Sequence, residues 1–308
     1  MGTIIKPKNN LTNSQNNINK ETQINYYKIL VSNIVEKTNV YLYLRKNGFS
    51  EHYLKNLRNK DNAILVNNYP STARTLLNNG DILEIDKNPY SPTKIKKVEK
   101  DIDVVYEDEN YLLVNKPPLL ATMPTKSHYE DNLAGRILAY LNDDKYTLRV
   151  FNRLDREASG LILISKDAIT HQFTEILNKE YYAICHGILE NKTIIEKPIL
   201  TINNNGINEL KRVISPLGQY AKTTLTPVKA LNGKTLLKAE IIKGRTHQIR
   251  LHCASITHSL IGDKIYGIND EFSHTFLHLK SISFYNKLLN KNYHFEINLP
   301  EEFEKVIK

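Results

Sequence analysis

Residues 151–166, FNRLDREASGLILISK, decide the fold. A strand runs into a charged, glycine-containing turn and leaves it as a second, wholly apolar strand, GLILIS (160–165). Asp155 sits in that turn between Arg153 and Arg156. Cationic neighbours favour the ionised form of a carboxylate. Taken alone, the same residues also describe an ordinary Arg–Asp surface pair.

Two stretches downstream add candidate chemistry. In NKEYYAICHG (178–187) a helix is expected to end and a strand to begin, with Lys179 and Tyr181 at the junction. A tyrosine there either packs at the rim of a core or stacks on a base, since every base has a π-face. In IIKGRTHQIRLHCASITHSLIGDKIYG (241–267) Gly244 closes a strand, and Arg245, His247 and Arg250 open a helix. Arg250 lies five residues after Arg245, so the two point in different directions. One can meet a phosphate while the other meets a carboxylate inside the site. The spacing of His247, His252, Cys253 and His258 fits no common zinc pattern, so no metal is expected.

Around these stretches, short strands alternate with turns from about residue 101 onward. They include DVVYED (103–108), YLLVNK (111–116), LRVFN (148–152), TLTPV (224–228), LLKAEII (236–242), ISFYN (282–286) and YHFEINL (293–299). Helices are expected over 132–141, 167–179 and 245–256. That mix predicts an α+β catalytic region, 101–308, with a largely antiparallel sheet.

The N-terminal third reads differently. Residues 1–24 are rich in Asn, Lys, Thr and Gln without apolar period, and a flexible tail is expected. Residues 25–86 predict a small α/β unit: strand 26–31, helix 41–48 stopping at Gly48, and a second helix, EHYLKNLRNK, capped by Ser50. Strands 63–70 and 82–85 follow, with turns at Asn-Asn and Asn79-Gly80-Asp81. The second helix carries Lys55 and Arg58, which would face phosphates if the unit binds RNA; a solvated basic helix is the alternative. Residues 87–100, with two prolines and a lysine cluster, read as a linker.

Composition fits a polyanionic partner. The 308 residues hold 42 Lys and Arg against 33 Asp and Glu, a formal charge of +9. The two cysteines, Cys185 and Cys253, show no pairing pattern, so a reducing compartment is expected. No apolar run approaches the ~20 residues of a membrane helix, and no secretory signal is seen at the start, so a cytoplasmic protein is expected.

Six blocks, in order, make residues 103–117 and 151–284 resemble the RluA-type RNA pseudouridine synthases. They are Val114-Asn115-Lys116-Pro117; Asn152-Arg153-Leu154-Asp155-Arg156-Glu157-Ala158-Ser159-Gly160; Lys179, Tyr181, Ala183 and Gly187; Gly244 to Arg250 with His252; Leu260-Ile261-Gly262-Asp263-Lys264-Ile265-Tyr266-Gly267; and Leu277-His278. The order of elements over 25–86 similarly resembles an S4-like RNA-binding domain. Four positions depart from the family: Asn152 stands for His, Ala158 for Thr, Leu119 for Gly and Met123 for His.

The resemblance implies conversion of uridine in RNA to pseudouridine, by cleavage of the N1–C1′ bond, rotation of the bound uracil and rejoining through C5. No cofactor and no metal are implied. It also implies a mixed, mostly antiparallel, bent sheet, with the cleft across its centre and the S4-like unit joined flexibly. Asp155 would be the catalytic carboxylate, attacking C1′ or removing a proton from C2′; the residues do not choose between them. Arg250 would pair with it, and Tyr181 would stack on the uracil. Arg153 would fill the gap left by the flipped base, or contact a phosphate. Lys179, Lys116 and Arg245 would be further RNA or structural contacts. The partner would be RNA, large-subunit ribosomal RNA before transfer RNA, met by a monomer. A non-catalytic RNA-binding protein on the same scaffold, or a glycoside hydrolase using Asp155 with Glu157, are the rivals.

Overall fold

The structure, a computed structural model, describes residues 25–125, 128–143, 146–203 and 210–308. The expected tail, 1–24, lies outside the described residues. In the N-terminal unit β1 (Tyr26–Leu30) and β2 (Thr38–Asn39) precede α1 (Val40–Lys46) and α2 (Glu51–Arg58). Strands β3 (Ile64–Val66), β4 (Tyr69–Pro70), β5 (Leu76–Leu77) and β6 (Ile82–Asp86) follow. The helices start where side chains satisfy free backbone N–H groups: Asn39 accepts from Leu42 and Ser50 from Tyr53. A four-stranded sheet in the order β1-β6-β3-β4 packs beneath them, and β2 pairs with β5.

The remainder comprises β7 (Asp103–Glu107), β8 (Tyr111–Lys116), α3 (Leu133–Leu141), β9 (Arg149–Val150), β10 (Ser159–Ser165), α4 (Ala168–Phe173) and β11 (Thr174–His186). After them come β12 (Thr193–Glu196), β13 (Ile199–Asn203), β14 (Leu210–Ile214), β15 (Lys222–Leu231), β16 (Lys234–Ile242), α5 (Gln248–Ala254), β17 (Leu277–Asn286), β18 (Lys291–Glu296) and α6 (Glu301–Ile307). One ten-stranded sheet runs β12-β15-β16-β11-β17-β10-β8-β7, with β18 on β17 and β9 on β10. Only the β10–β17 pair is parallel among its described strands, so the expected mixed, mostly antiparallel sheet is present.

The apolar run of β10 is buried at every position, which is why its sequence lacks alternation. At its start Gly160 adopts φ +115°, and a Cβ there would run into the backbone of Leu279. A glycine is therefore needed where the parallel strand comes closest, immediately after the turn that carries Asp155.

Two helices differ from expectation. The helix expected over 167–179 ends at Phe173, and the chain continues as β11 because its backbone pairs with β17 from Thr174, opposite Asn286, onward. The helix expected over 245–256 spans only Gln248–Ala254, since His247 holds φ +58°, which no helix residue adopts.

Residues 87–100 carry no helix or strand, but they do not hang free. Val98 is buried, and its N–H donates to the carbonyl of Gly135. The N-terminal unit shares one apolar cluster with α4. Phe49 meets Phe173 edge-on at 5.0 Å, and the Ser50 N–H donates to Gln172 Oε1 at 3.0 Å. Contacts of this kind pack the unit against the larger region instead of leaving it on a loose tether. Among the described residues no helix is long and apolar enough to cross a membrane.

Candidate active site

The turn between β9 and β10 is anchored by buried polar bonds. Asn152 donates Nδ2–H to the Leu161 carbonyl at 2.9 Å and accepts the Leu163 N–H at 3.0 Å. A neutral amide offers one donor and one acceptor side, so it satisfies both backbone groups where the family carries His. Thr122 Oγ1 donates to the Leu154 carbonyl at 2.8 Å, and the Ala158 N–H donates to the Asp155 carbonyl at 3.2 Å.

On that turn Asp155 meets Arg250, 95 residues later on α5. Nη1 of Arg250 donates to Asp155 Oδ2 at 3.2 Å. The rest of the guanidinium forks onto a second acid, Asp263, with Nε to Oδ2 at 2.8 Å and Nη2 to Oδ1 at 2.7 Å. Asp263 also accepts the N–H groups of Ile265 and Tyr266. Burial raises the cost of both charges, yet the fork outweighs it: the Asp263 carboxyl is held below its ordinary range and the Arg250 guanidinium above its own. Arg250 is 2% exposed and the Asp155 side chain 20%, so a buried cation backs a carboxylate that reaches solvent. Asp155 Oδ1 makes no hydrogen bond among the described residues.

Tyr181 lies on β11 at a bulge in its pairing with β17. It is buried, and burial first, then the charge of Asp155, push its phenol well up. The hydroxyl makes no hydrogen bond among the described residues. Asp155 and Tyr181 both line one cleft of about 840 Å³. The three residues singled out in the sequence are thus brought together.

The other candidates separate. Arg153 is exposed on the cleft wall and makes no ion pair among the described residues. Lys179 lines the cleft, with burial lowering the pKa of its amine. Arg245 also lines it and donates Nε–H to the Tyr220 carbonyl at 3.2 Å. Lys55 and Arg58 are exposed on α2, outside the cleft lining, with Arg58 3.6 Å from Glu51.

Lys116 corrects the expectation of an RNA contact. It is fully buried, and its Nζ donates to the carbonyls of Pro117 and Leu120 at 2.8 Å and of Arg156 at 3.3 Å. It ties the 117–120 loop to the Asp155 turn and cannot reach a phosphate. Glu157, the second acid of the hydrolase rival, is paired with Arg156 at 2.6 Å.

Two residues gained no role from sequence reasoning. Asp263 stood in a matched block, and a buried arginine with donors to spare is the signal that points to it. His247 was weighed only as a metal ligand. Its Nε2 stands 3.9 Å from Asp155 Oδ2. His252 directs its ring nitrogens to Thr223 Oγ1 and the Lys197 carbonyl. No cluster of three or more metal-ligand side chains occurs among the described residues.

Comparison with known proteins agrees with this architecture. The pattern defining the RNA pseudouridylate synthase family matches residues 110–255. An uncharacterized RNA pseudouridine synthase of Helicobacter pylori is 36% identical over 68% of this chain and 79% of its own. One from Bacillus subtilis is 28% identical over 85% of this chain and 95% of its own. The ribosomal large subunit pseudouridine synthase D of Zymomonas mobilis is 27% identical over 67% of this chain and 72% of its own. Among solved structures, human RNA pseudouridylate synthase domain containing 1 shares the fold, with TM-score 0.52 and 18% identity over 71% of this chain and 89% of its own. The chain belongs to the RNA pseudouridine synthase family.

Proposed function

We propose that the enzyme isomerises specific uridines of large-subunit ribosomal RNA, with Asp155 as its catalytic carboxylate. The observation that carries this reading is the buried Arg250 behind Asp155, because a fixed cation beside one carboxylate oxygen aims the other at the substrate. Asp155 Oδ1 then attacks C1′ or takes the C2′ proton of a flipped uridine. Tyr181 offers a face to the uracil, and its phenol, kept protonated by burial, can donate a hydrogen bond to the uracil there. Arg153 on the cleft wall fills the place of the extruded base, and Lys179 and Arg245 contact the RNA backbone. The basic face of α2, with Lys55 and Arg58, makes the N-terminal unit an S4-like second RNA contact.

A monomer suffices, because Asp155, Tyr181 and Arg250 come from one chain. Ribosomal RNA is favoured by the similarity to the Zymomonas large-subunit enzyme. Two free buried thiols suit a cytoplasmic site of action. The test is to incubate purified protein with uridine-labelled large-subunit ribosomal RNA and with transfer RNA. Pseudouridine at discrete ribosomal positions is expected. Product in transfer RNA alone overturns the target, and product in neither overturns the activity.

A further inference from the structure

We propose that His247 recognises the 2′-hydroxyl of the target ribose and makes the site select RNA over DNA at that nucleotide. The proposal rests on the reading that Asp155 works beside C1′ and C2′.

His247 holds φ +58°, a left-handed conformation uncommon outside glycine. Tyr266 holds the side chain in place. Its hydroxyl is 3.0 Å from His247 Nδ1, and the two rings meet edge to face with centroids 5.6 Å apart. The Tyr266 hydroxyl can give its proton to Nδ1. With the phenol as donor, the ring proton of His247 lies on Nε2, the nitrogen that faces Asp155. The opposite tautomer would set a lone pair against the carboxylate.

Nε2 stands 3.9 Å from Asp155 Oδ2, beyond hydrogen-bond length. The donor is therefore not consumed by the acid. A hydroxyl oxygen about 2.8 Å from each atom fits at the apex of the triangle they form. It can accept from Nε2 and donate to Oδ2, which no hydrogen at a deoxy position can do. Burial, helped by the charges of Arg250 and Arg212, keeps the imidazole below its ordinary range against the pull of Asp155 and Asp263. A neutral donor suits this place, since Arg250 already supplies the charge that Asp155 needs. The side chain is part of the cleft wall, so a bound ribose can reach it.

The test pairs substrate and protein changes. An RNA carrying a single 2′-deoxyuridine at the target is compared with the all-ribose RNA by kcat/KM, in the parent and in His247→Asn. Asparagine accepts the left-handed backbone, and its shorter amide withdraws the donor from Asp155. The parent should favour the ribose substrate, and that preference should shrink about tenfold in His247→Asn. His247→Gln, whose amide reaches the Nε2 position, should restore most of it. A 2′-deoxy group one nucleotide away should show no such coupling. A preference unchanged in His247→Asn overturns the proposal, and so does equal coupling at the neighbouring nucleotide. If His247→Asn does not fold, His247→Phe gives the same comparison, because its ring packs on Tyr266 without a donor. Pseudouridine formation by Asp155→Asn would instead overturn the reading of Asp155 on which this one rests.

Discussion

The N-terminal unit and the cleft turn their chains by different means. In the unit, every described residue with positive φ is Asn or Gly: Asn33, Gly48, Asn62, Asn67, Asn68 and Gly80. These residues enter the left-handed region with little steric conflict. Around the cleft, positive φ falls on Gly160 but also on Leu119, Lys243 and His247, where a Cβ costs about 1–2 kcal/mol. Such turns persist because side chains tie them down: Lys116 grips the carbonyls of Pro117 and Leu120 on either side of Leu119 and that of Arg156 in the Asp155 turn, and Tyr266 holds His247. In the unit the left-handed turns are thus set by residue types that accept them. Around the cleft the turns rely on buried ties, of which Lys116 to Arg156 and Tyr266 to His247 reach across the chain.

The most severe break of that contrast removes the charge at the centre. Asp155→Asn keeps the shape of the turn and loses the carboxylate proposed as nucleophile or base, so product formation should drop by about 10⁴-fold or more. RNA affinity measured by filter binding should stay near the parent value. Near-normal turnover would take Asp155 out of the chemistry.

Next in size is the tie itself. Asp263→Asn leaves Arg250, 2% exposed, with one acid instead of two. Removing one partner of a buried pair costs about 3–5 kcal/mol. Denaturant titration should show a loss of that order, and kcat should fall as Arg250 loosens. The matching change in the unit is Glu51→Gln, which removes the exposed acid beside Arg58. It should cost about 1 kcal/mol or less. Equal losses at the two sites would erase the distinction between the two regions.

A smaller effect is expected from Lys116. Three carbonyl acceptors take all three protons of an ammonium. Burial pushes this amine down to about 7, while Asp155 and Glu157 pull it upward. As pH rises past that value the amine loses a proton and one carbonyl loses its donor. The turn carrying Asp155 then loosens, so kcat should decline on the alkaline side. Lys116→Met, lacking the group, should start about 10-fold lower, reflecting unpaired buried carbonyls, and lack that decline. A decline that persists in Lys116→Met assigns it to another group. RNA affinity that falls in parallel would place the effect in binding rather than in the turn.

Much of the cleft was visible in the residues because its side chains fall in blocks that can be matched one by one. Asp155, Tyr181 and Arg250 are drawn from three blocks, and the sheet brings them to one place. Helices α1 and α2 were visible through their apolar spacing, with Ser50 as a cap and Gly48 as a stop. What stayed hidden depends on distant partners. The strand beginning at Thr174 owes its conformation to pairing with Asn286, 112 residues away, and local spacing there resembles a helix. The same limit hid Asp263, whose role appears only when Arg250 is seen to fork onto it. Lys116 shows why charge in a sequence does not disclose exposure: beside a proline-rich loop it reads as an RNA contact, but its amine is buried among carbonyls. The docking of the N-terminal unit also turns on a distant pair, Phe49 with Phe173.

The smallest expected effect tests the contrast with one substitution made in both regions. Leu119 holds φ +62° where the family carries glycine, and the residue is 43% exposed, so little packing is lost on truncation. Leu119→Gly relieves the left-handed conformation, while added freedom of the unfolded chain takes back part of the gain. A net gain of up to about 1 kcal/mol is expected, with a rise in Tm of about 2 °C. Asn68→Gly, at φ +68° in the β3–β4 turn, should change stability by no more than a few tenths of that, because asparagine already accepts the conformation. If Leu119→Gly is neutral too, Lys116 grips a loop that stores no strain. If it is stabilising but lowers kcat, the strained loop helps to set the position of the Asp155 turn through the Arg156 carbonyl that Lys116 also holds.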